Sequence, residues 1–394
     1  MDKGLKFIIE FSGISATDLF VKIGDILNSN KMKYLSTTFM LLIGCSAFAQ
    51  LQDRLDSVLH KSINPGNPGI ALYVEENGNT VYSKGFGLAD VAGNKSIDSK
   101  TNFRLASVSK QFTAMCIVLL EKDQKLSFDD PISKFFPELP AEISGKVLLR
   151  HLITHTSGIL DYEEIMDNES KAQLLDKDVL KILKTEQKTY FNPGSQFRYS
   201  NSAYTLLALI VERVSGQSFP EFMKERIFKP LKMKNSLVYE SDVKIPHRSM
   251  GFALDKDNSI YPNDQSSTSA IKGDGGVYCS LKDYKKWTHG IWNNTLVDMP
   301  SVISELNISI KEVTSSYYGP GWFYFDKGIP ALFHSGSTCG FSTYSINIPE
   351  QKTSIVYFSN IAGNSEPFKK ILEILNKAGI GSPAEVFSLH QLTR

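Results

Sequence analysis

Apolar positions alternate with polar ones, or run together, on either side of an Glu-Asn-Gly step at Glu76 to Gly78, which predicts two strands, Gly69 to Glu75 and Thr80 to Gly87, joined as a hairpin. From Ser107 to about Arg226 the repeat lengthens to that of helices, predicted at Ser107 to Lys122, Lys146 to Thr154, Lys171 to Lys184 and Ser202 to Val214. Past Gly321 the strand pattern returns at Trp322 to Phe325, Ala331 to His334, Phe341 to Ile348 and Ser354 to Phe358, followed by an amphipathic helix near Pro367 to Lys377. Strands at both ends of one unit have to meet. The expected fold is therefore α+β, an α/β sandwich plus a helical lobe: an antiparallel sheet built from both chain ends and flanked by helices, with the lobe at about 107–226 inserted and a cleft between the two parts.

Ahead of this unit, Met32-Lys33 precedes an apolar run from Phe39 to Gly44 and the small-x-small pattern Ala47-Phe48-Ala49, the signature of a secretory signal peptide cut before Gln50. Residues 1–31 are awkward in front of that signal, and translation is expected to begin at Met32. The chain then divides into an extension and signal at 1–49, a catalytic domain at 50–380 and a tail at 381–394. A competing reading takes Leu42-Ile43-Gly44-Cys45 as a lipoprotein box with Cys45 lipidated. The expectation is export to the periplasm or beyond, with an outer-surface lipoprotein as the alternative and membrane association only if Cys45 carries lipid; the apolar run is short for a permanent spanning helix. Cleavage after Ala49 leaves Cys116, Cys279 and Cys339, an odd number that implies no disulfide framework.

Composition narrows the class of partner. With 42% hydrophobic residues and a net charge of +1, the chain builds a large core and presents no basic bias, so nucleic acid is not an expected partner and a small-molecule or peptide substrate is. No proline-rich linker or internal repeat interrupts Leu51 to Ile380.

Three short motifs carry the chemistry: Ser107-Val108-Ser109-Lys110, Tyr199-Ser200-Asn201 and His334-Ser335-Gly336. A hydroxyl becomes a nucleophile when a base stands beside it, and Lys110 with Tyr199 supplies one without a catalytic histidine. Ser107 at the first turn of a helix and Lys110 three residues later share a face, and a helix start offers unbonded N–H groups where an oxyanion develops. Each motif alone is weak, since Ser-x-x-Lys recurs at Ser241 to Lys244 and Ser269 to Lys272. Context selects Ser107, which opens the apolar stretch Gln111 to Leu120, whereas the other two sit among turn formers.

In this conjunction the chain resembles the serine β-lactamase and penicillin-binding-protein superfamily, most closely its class C-like branch of esterases, D-amino-acid peptidases and β-lactamase-related proteins. His151 to Ile159, Asn192-Pro193-Gly194 and Gly273 to Val277 extend the resemblance, which covers about Leu51 to Ile380. It implies a β-lactamase/transpeptidase-like fold with Ser107, Lys110 and Tyr199 as catalytic residues and an oxyanion hole from the N–H groups of Ser107 and Ser337. It also implies that Tyr199 relays protons with Lys110, and that Asn201 and the His334-Ser335-Gly336 strand bind substrate. One departure stands out: where many members have Lys-Thr-Gly this chain has His-Ser-Gly, and a neutral His does not supply the cation that holds a carboxylate.

The expected activity is an exported serine hydrolase that forms an acyl-enzyme on Ser107 and cleaves an ester or a peptide bond, one that contains a D-amino acid included. The alternatives are a penicillin-binding or muropeptide-sensing protein that acylates with little turnover, and a true β-lactamase. No Gly-x-Ser-x-Gly elbow and no phosphate loop competes. His151 and His155 have a spacing that would put two metal ligands on one helix face, but no Glu follows the first and no third ligand is evident, so neither metal nor cofactor is expected.

Overall fold

The computed structural model describes residues 49–391 apart from 65, 168–171, 312, 314, 327–329 and 382–389. The expected Met32 start, most of the signal pattern, Cys45 and most of the 381–394 tail lie outside the described residues. Two compact units divide the chain, Met1–Arg54 and Leu55–Arg394; the described part of the first, 49–54, is helical, and the second carries the sheet and every site residue discussed below. Among the described residues no helix is long and apolar enough to cross a membrane.

Eight strands form one antiparallel sheet: β1 (Ile70–Glu76), β2 (Asn79–Phe86), β3 (Ile308–Ile310), β4 (Ser316–Tyr318), β5 (Phe323–Phe325), β6 (Ala331–Thr338), β7 (Phe341–Ile348) and β8 (Thr353–Ser359). Their spatial order is β3-β4-β5-β6-β7-β8-β1-β2. The two ends of the unit meet where β1 runs between β8 and β2, with Ile70 opposite Ser359 on one side and Phe86 on the other. The hairpin turns at Asn77 and Gly78, both with positive φ (52° and 79°), the conformation that Asn-Gly adopts at least cost. β7 and β8 are buried along their whole length, as strands covered on both faces must be.

Helix α1 (Lys110–Lys122) is the centre of the helical layer. Every side chain from Lys110 to Leu120 is buried, so its apolar surface is covered all round and not along one stripe. Polar Gln111 survives there because its Oε1 accepts from the Tyr284 hydroxyl at 2.8 Å and the Trp287 indole N–H at 2.9 Å. Helices α2 (Asp176–Leu183) and α3 (Asn201–Ser215) belong to the lobe, α3 packing on α1; α4 (Leu281–Trp292) supplies Tyr284 and Trp287, and α5 (Glu366–Lys377) closes the unit.

The α+β architecture matches the expectation, with differences in detail. The helix expected at Lys146 to Thr154 is shorter, Leu149–Ile153, and that expected from Lys171 begins at Asp176, because the Leu174 N–H is taken by the Ser267 carbonyl at 2.7 Å. Strands β3 and β4 and helix α4 had no counterpart in the expected elements. A three-residue strand shows no period of two, and α4 is announced only by its N-cap, Ser280, whose side chain accepts from the Asp283 N–H.

Candidate active site

Ser107 is delivered to the cleft by a strained turn. The short strand Phe103–Arg104 pairs with Val277–Cys279, and the chain then bends through Ala106 at φ 48° into a 3₁₀ turn, Ala106–Ser109, that runs straight into α1. A left-handed Ala costs about 1 kcal/mol, and the surroundings hold it there: the Val277 N–H donates to Ser109 Oγ at 3.0 Å and the Thr113 hydroxyl donates to the Gly273 carbonyl at 2.7 Å. Ser107 remains half-buried at the floor of a small open cleft that Asn201, Glu163, Asp274, Ser337 and Thr338 also line.

Lys110 is wholly buried, and its ammonium has three acceptors: Ser107 Oγ at 3.2 Å, Asn201 Oδ1 at 2.8 Å and the Asp274 carbonyl at 2.9 Å. The faces of Tyr199 and Tyr204 lie 4.9 and 5.6 Å from Nζ. Burial lowers the Lys110 pKa to about 8, against the attraction of the Asp274, Glu163 and Asp161 carboxylates. The geometry fits the neutral amine as well as the ammonium. Two hydrogens satisfy Asn201 and Asp274, and the lone pair is left facing Ser107.

The Tyr199 phenol oxygen is sealed from solvent, with the Ser107 hydroxyl as its polar neighbour. Burial raises its pKa well above that of an ordinary tyrosine, an effect that the Ser107 hydroxyl beside it offsets only in part. Its ring lies against His155, with centroids 4.3 Å apart. His155 is buried at φ 56° and its Nδ1 accepts the Ser200 N–H at 3.1 Å, which leaves the proton on Nε2; burial holds the ring well below its usual pKa and hence neutral. Ser200 in turn caps α3 through the Ala203 N–H at 3.1 Å, so one chain of contacts fixes both Tyr199 and Asn201.

His151 and His155 do not share a helix face. The helix ends at Ile153, and His151 is folded back as its cap, Nδ1 accepting from the Leu148 N–H at 3.1 Å.

Strand β6 forms the opposite wall. Its ladder to β5 stops at the Phe333–Phe323 pair, so from His334 to Thr338 that edge is open to the cleft. Alternation along the strand sets His334 and Gly336 on the cleft face and Ser335 on the other. His334 is fully buried, its Nδ1 against the Ser335 carbonyl at 2.7 Å and its Nε2 against the Tyr318 hydroxyl at 3.3 Å. Burial, with Lys110 nearby, lowers its pKa to about 3 and keeps the ring neutral. The Ser335 hydroxyl instead meets His390 Nδ1 at 2.7 Å behind the sheet, so its side chain does not reach substrate. Of the expected residues the structure therefore brings together Ser107, Lys110, Tyr199, Asn201, His334, Gly336 and Ser337, and turns Ser335 away.

The family model described as Beta-lactamase matches residues 48–378. The chain belongs to this family. Within the serine β-lactamase and penicillin-binding-protein superfamily, a penicillin-binding protein of Bacillus subtilis (strain 168) is 30% identical over 79% of this chain and 72% of its own length. The octameric penicillin-binding protein homologue from Pyrococcus abyssi superposes with a TM-score of 0.74 at 27% identity, over 86% of this chain and 79% of that one. A D-amino acid amidase from Ochrobactrum anthropi SV3 shares the fold, with a TM-score of 0.69 at 21% identity over 85% of this chain and 99% of that one.

Sequence reasoning did not single out the acidic side of the cleft. Asp161 Oδ2 accepts the Asn201 N–H at 2.6 Å and Oδ1 the Glu163 N–H at 3.2 Å, and Tyr162 donates its hydroxyl to Asp274 Oδ2 at 2.7 Å. Burial pushes Asp274 up to about 6 despite Lys110. Residues 161–163 belong to none of the sequence motifs, and Asp274 lies within Gly273 to Val277, where no role was singled out for it; the side chains of 161–163 become visible as site residues only when Asn201 is seen to rest on Asp161.

Proposed function

We propose that this protein is an exported serine hydrolase that cleaves an ester or a peptide bond through an acyl-enzyme on Ser107. The observation that carries the reading is Lys110: an amine with a pKa of about 8, 3.2 Å from Ser107 Oγ and with its other hydrogens committed elsewhere. Ser107 Oγ attacks the carbonyl carbon and its proton passes to the Lys110 amine. The oxyanion is received by the N–H groups of Ser107 and Ser337, each worth about 3 kcal/mol in acyl transfer. Tyr199, a neutral phenol, hands a proton to the leaving group and is recharged from Lys110; the same pair then takes a proton from the water that releases the acyl group. Asn201 and the open edge of β6 align the substrate.

Amide cleavage is supported by the penicillin-binding relatives and by the amidase with the same fold. Neutral His334 argues against a dedicated β-lactamase, because it does not supply at this position of β6 the cation that would hold a β-lactam carboxylate. Export rests on the Met32 to Ala49 pattern, and the N-terminal peptide of the native protein tests it.

The decisive experiment compares a protein starting at Gln50 with its Ser107→Ala variant on a nitrophenyl ester, a D-alanyl nitroanilide and a chromogenic cephalosporin. Ser107-dependent turnover with an acyl adduct on the Ser107 peptide is expected for the ester or the anilide. A stoichiometric adduct that is not released would favour a penicillin-binding or muropeptide-sensing protein, and equal background in both proteins on all three substrates would overturn the hydrolase.

A further inference from the structure

Behind strand β6, on the face away from the cleft, the chain buries a histidine against a serine. His390, one of the last two described residues, is 7% exposed, and its Nδ1 lies 2.7 Å from the hydroxyl of the wholly buried Ser335. Its ring stands edge-on to that of Tyr344, with centroids 5.3 Å apart, and Tyr344 is the β7 residue directly opposite Ser335. Phe368 of α5 stacks on the same tyrosine at 4.6 Å. The end of the chain is thus brought to the back of the strand that carries Ser337, two residues beyond Ser335.

Packing alone would ask for an apolar residue among these rings. An imidazole buried there is costly unless its nitrogens find partners, and the Ser335 hydroxyl is one. Two features connect this contact to the cleft. From His334 onward β6 has no ladder to β5, so that stretch is paired with β7 alone. Ser335 itself is tied twice, by its hydroxyl to His390 and by its carbonyl oxygen to His334 Nδ1 at 2.7 Å. A roll of Ser335 about the strand axis would turn the peptide units that follow it, and the Ser337 N–H with them.

We propose that His390 is a positioning residue for the acyl-transfer site: through the Ser335 hydroxyl it fixes the roll of β6, and so the direction in which the Ser337 N–H meets the oxyanion. The inference rests on acyl transfer at Ser107 with Ser337 as the second oxyanion donor. His390 does not touch substrate and takes no part in proton transfer.

Three variants of the full chain test it. His390→Leu fills the space without the polar contact, His390→Asn keeps a hydrogen-bonding group where Nδ1 stood, and Ser335→Ala removes the other partner. On the best ester, His390→Leu should lower kcat and kcat/KM together by about tenfold with KM unchanged, as an interaction felt only in the transition state does. His390→Asn should stay within about threefold of the parent. Ser335→Ala should match His390→Leu, and the double variant should lose no more than either alone, because both act through one contact. A loss carried by KM, additive losses, a His390→Asn no better than His390→Leu, or a His390→Leu within about twofold of the parent overturns the proposal. Hydrogen exchange of the 331–338 peptide reads the same contact without turnover: His390→Leu should speed exchange there and leave α1 unchanged, and equal exchange in parent and variant overturns the positioning. A parent with no Ser107-dependent turnover would instead overturn the hydrolase, and exchange would still decide the role of His390.

Discussion

A Cβ placed on Gly336 would stand 3.0 Å from the backbone nitrogen of Ser107 and 2.3 Å from the Leu105 carbonyl oxygen. Strand β6 therefore touches the nucleophile turn backbone to backbone, and that contact sets the separation of the two N–H groups assigned to the oxyanion. The Thr343 hydroxyl, which donates to the Leu105 carbonyl at 2.7 Å, would meet the same Cβ at 2.5 Å, so no flexible side chain can yield.

Gly336→Ala should push β6 off the turn and open the oxyanion pair. Turnover of the best ester should fall by about 100-fold or more, the scale of one lost oxyanion donor. Steady-state kinetics with circular dichroism as a check on the fold reads the result; activity within threefold of the parent would mean that Ser337 does not act with Ser107.

His155→Phe keeps the ring against Tyr199 but removes the acceptor of the Ser200 N–H, leaving a buried donor without a partner. Stability should drop by about 1–3 kcal/mol in denaturant unfolding. Turnover should fall as well, because Ser200 lies between Tyr199 and Asn201. An unchanged unfolding midpoint would show that the Nδ1 contact is dispensable.

Much of this site could be read from the chain because its members are local: Ser107 and Lys110 are three residues apart on one turn, and Tyr199 and Asn201 flank Ser200, the N-cap of a well-patterned helix. The orientation of Ser335 was lost because the tripeptide was read as one binding unit, although a period of two already separates its side chain from those of His334 and Gly336. Asp161, Glu163 and Asp274 were not legible for a different reason. They sit on loops whose course is fixed by tertiary bonds, Asp161 to the Asn201 N–H and Tyr162 to Asp274, and no local pattern encodes those meetings. The sheet followed the same rule: long strands such as β7 appeared at their observed bounds, and of the three-residue strands only β5, within the apolar run Trp322 to Phe325, was expected, whereas β3 and β4 were not.

With Lys110 as the proposed base, its pKa of about 8 predicts an ascending pH profile. The base is the neutral amine, about a tenth of the molecules at pH 7, so kcat/KM on a neutral ester should climb with pH and level off above about 8. His334, with a pKa of about 3, adds no limb between pH 5 and 8. Lys110→Arg, a permanent cation, should abolish the climb and lower kcat/KM by about 100-fold or more. A profile that is flat from pH 6 to 9 would remove Lys110 from the role of base.

Asp274→Asn tests the same assignment from the other side. The Asp274 carboxylate is the largest of the charges that hold the Lys110 proton on, while its carbonyl oxygen, which accepts from Nζ, belongs to the backbone and survives the substitution. The Asn carbonyl can still accept from Tyr162, so the turn should keep its place. With the charge gone, burial acts on Lys110 with less opposition and its pKa should fall further below 8. The midpoint of the ascending limb should then move to lower pH, and the variant should gain on the parent near pH 6 relative to pH 9. A midpoint that stays in place, or moves to higher pH, would mean that the limb belongs to some group other than Lys110.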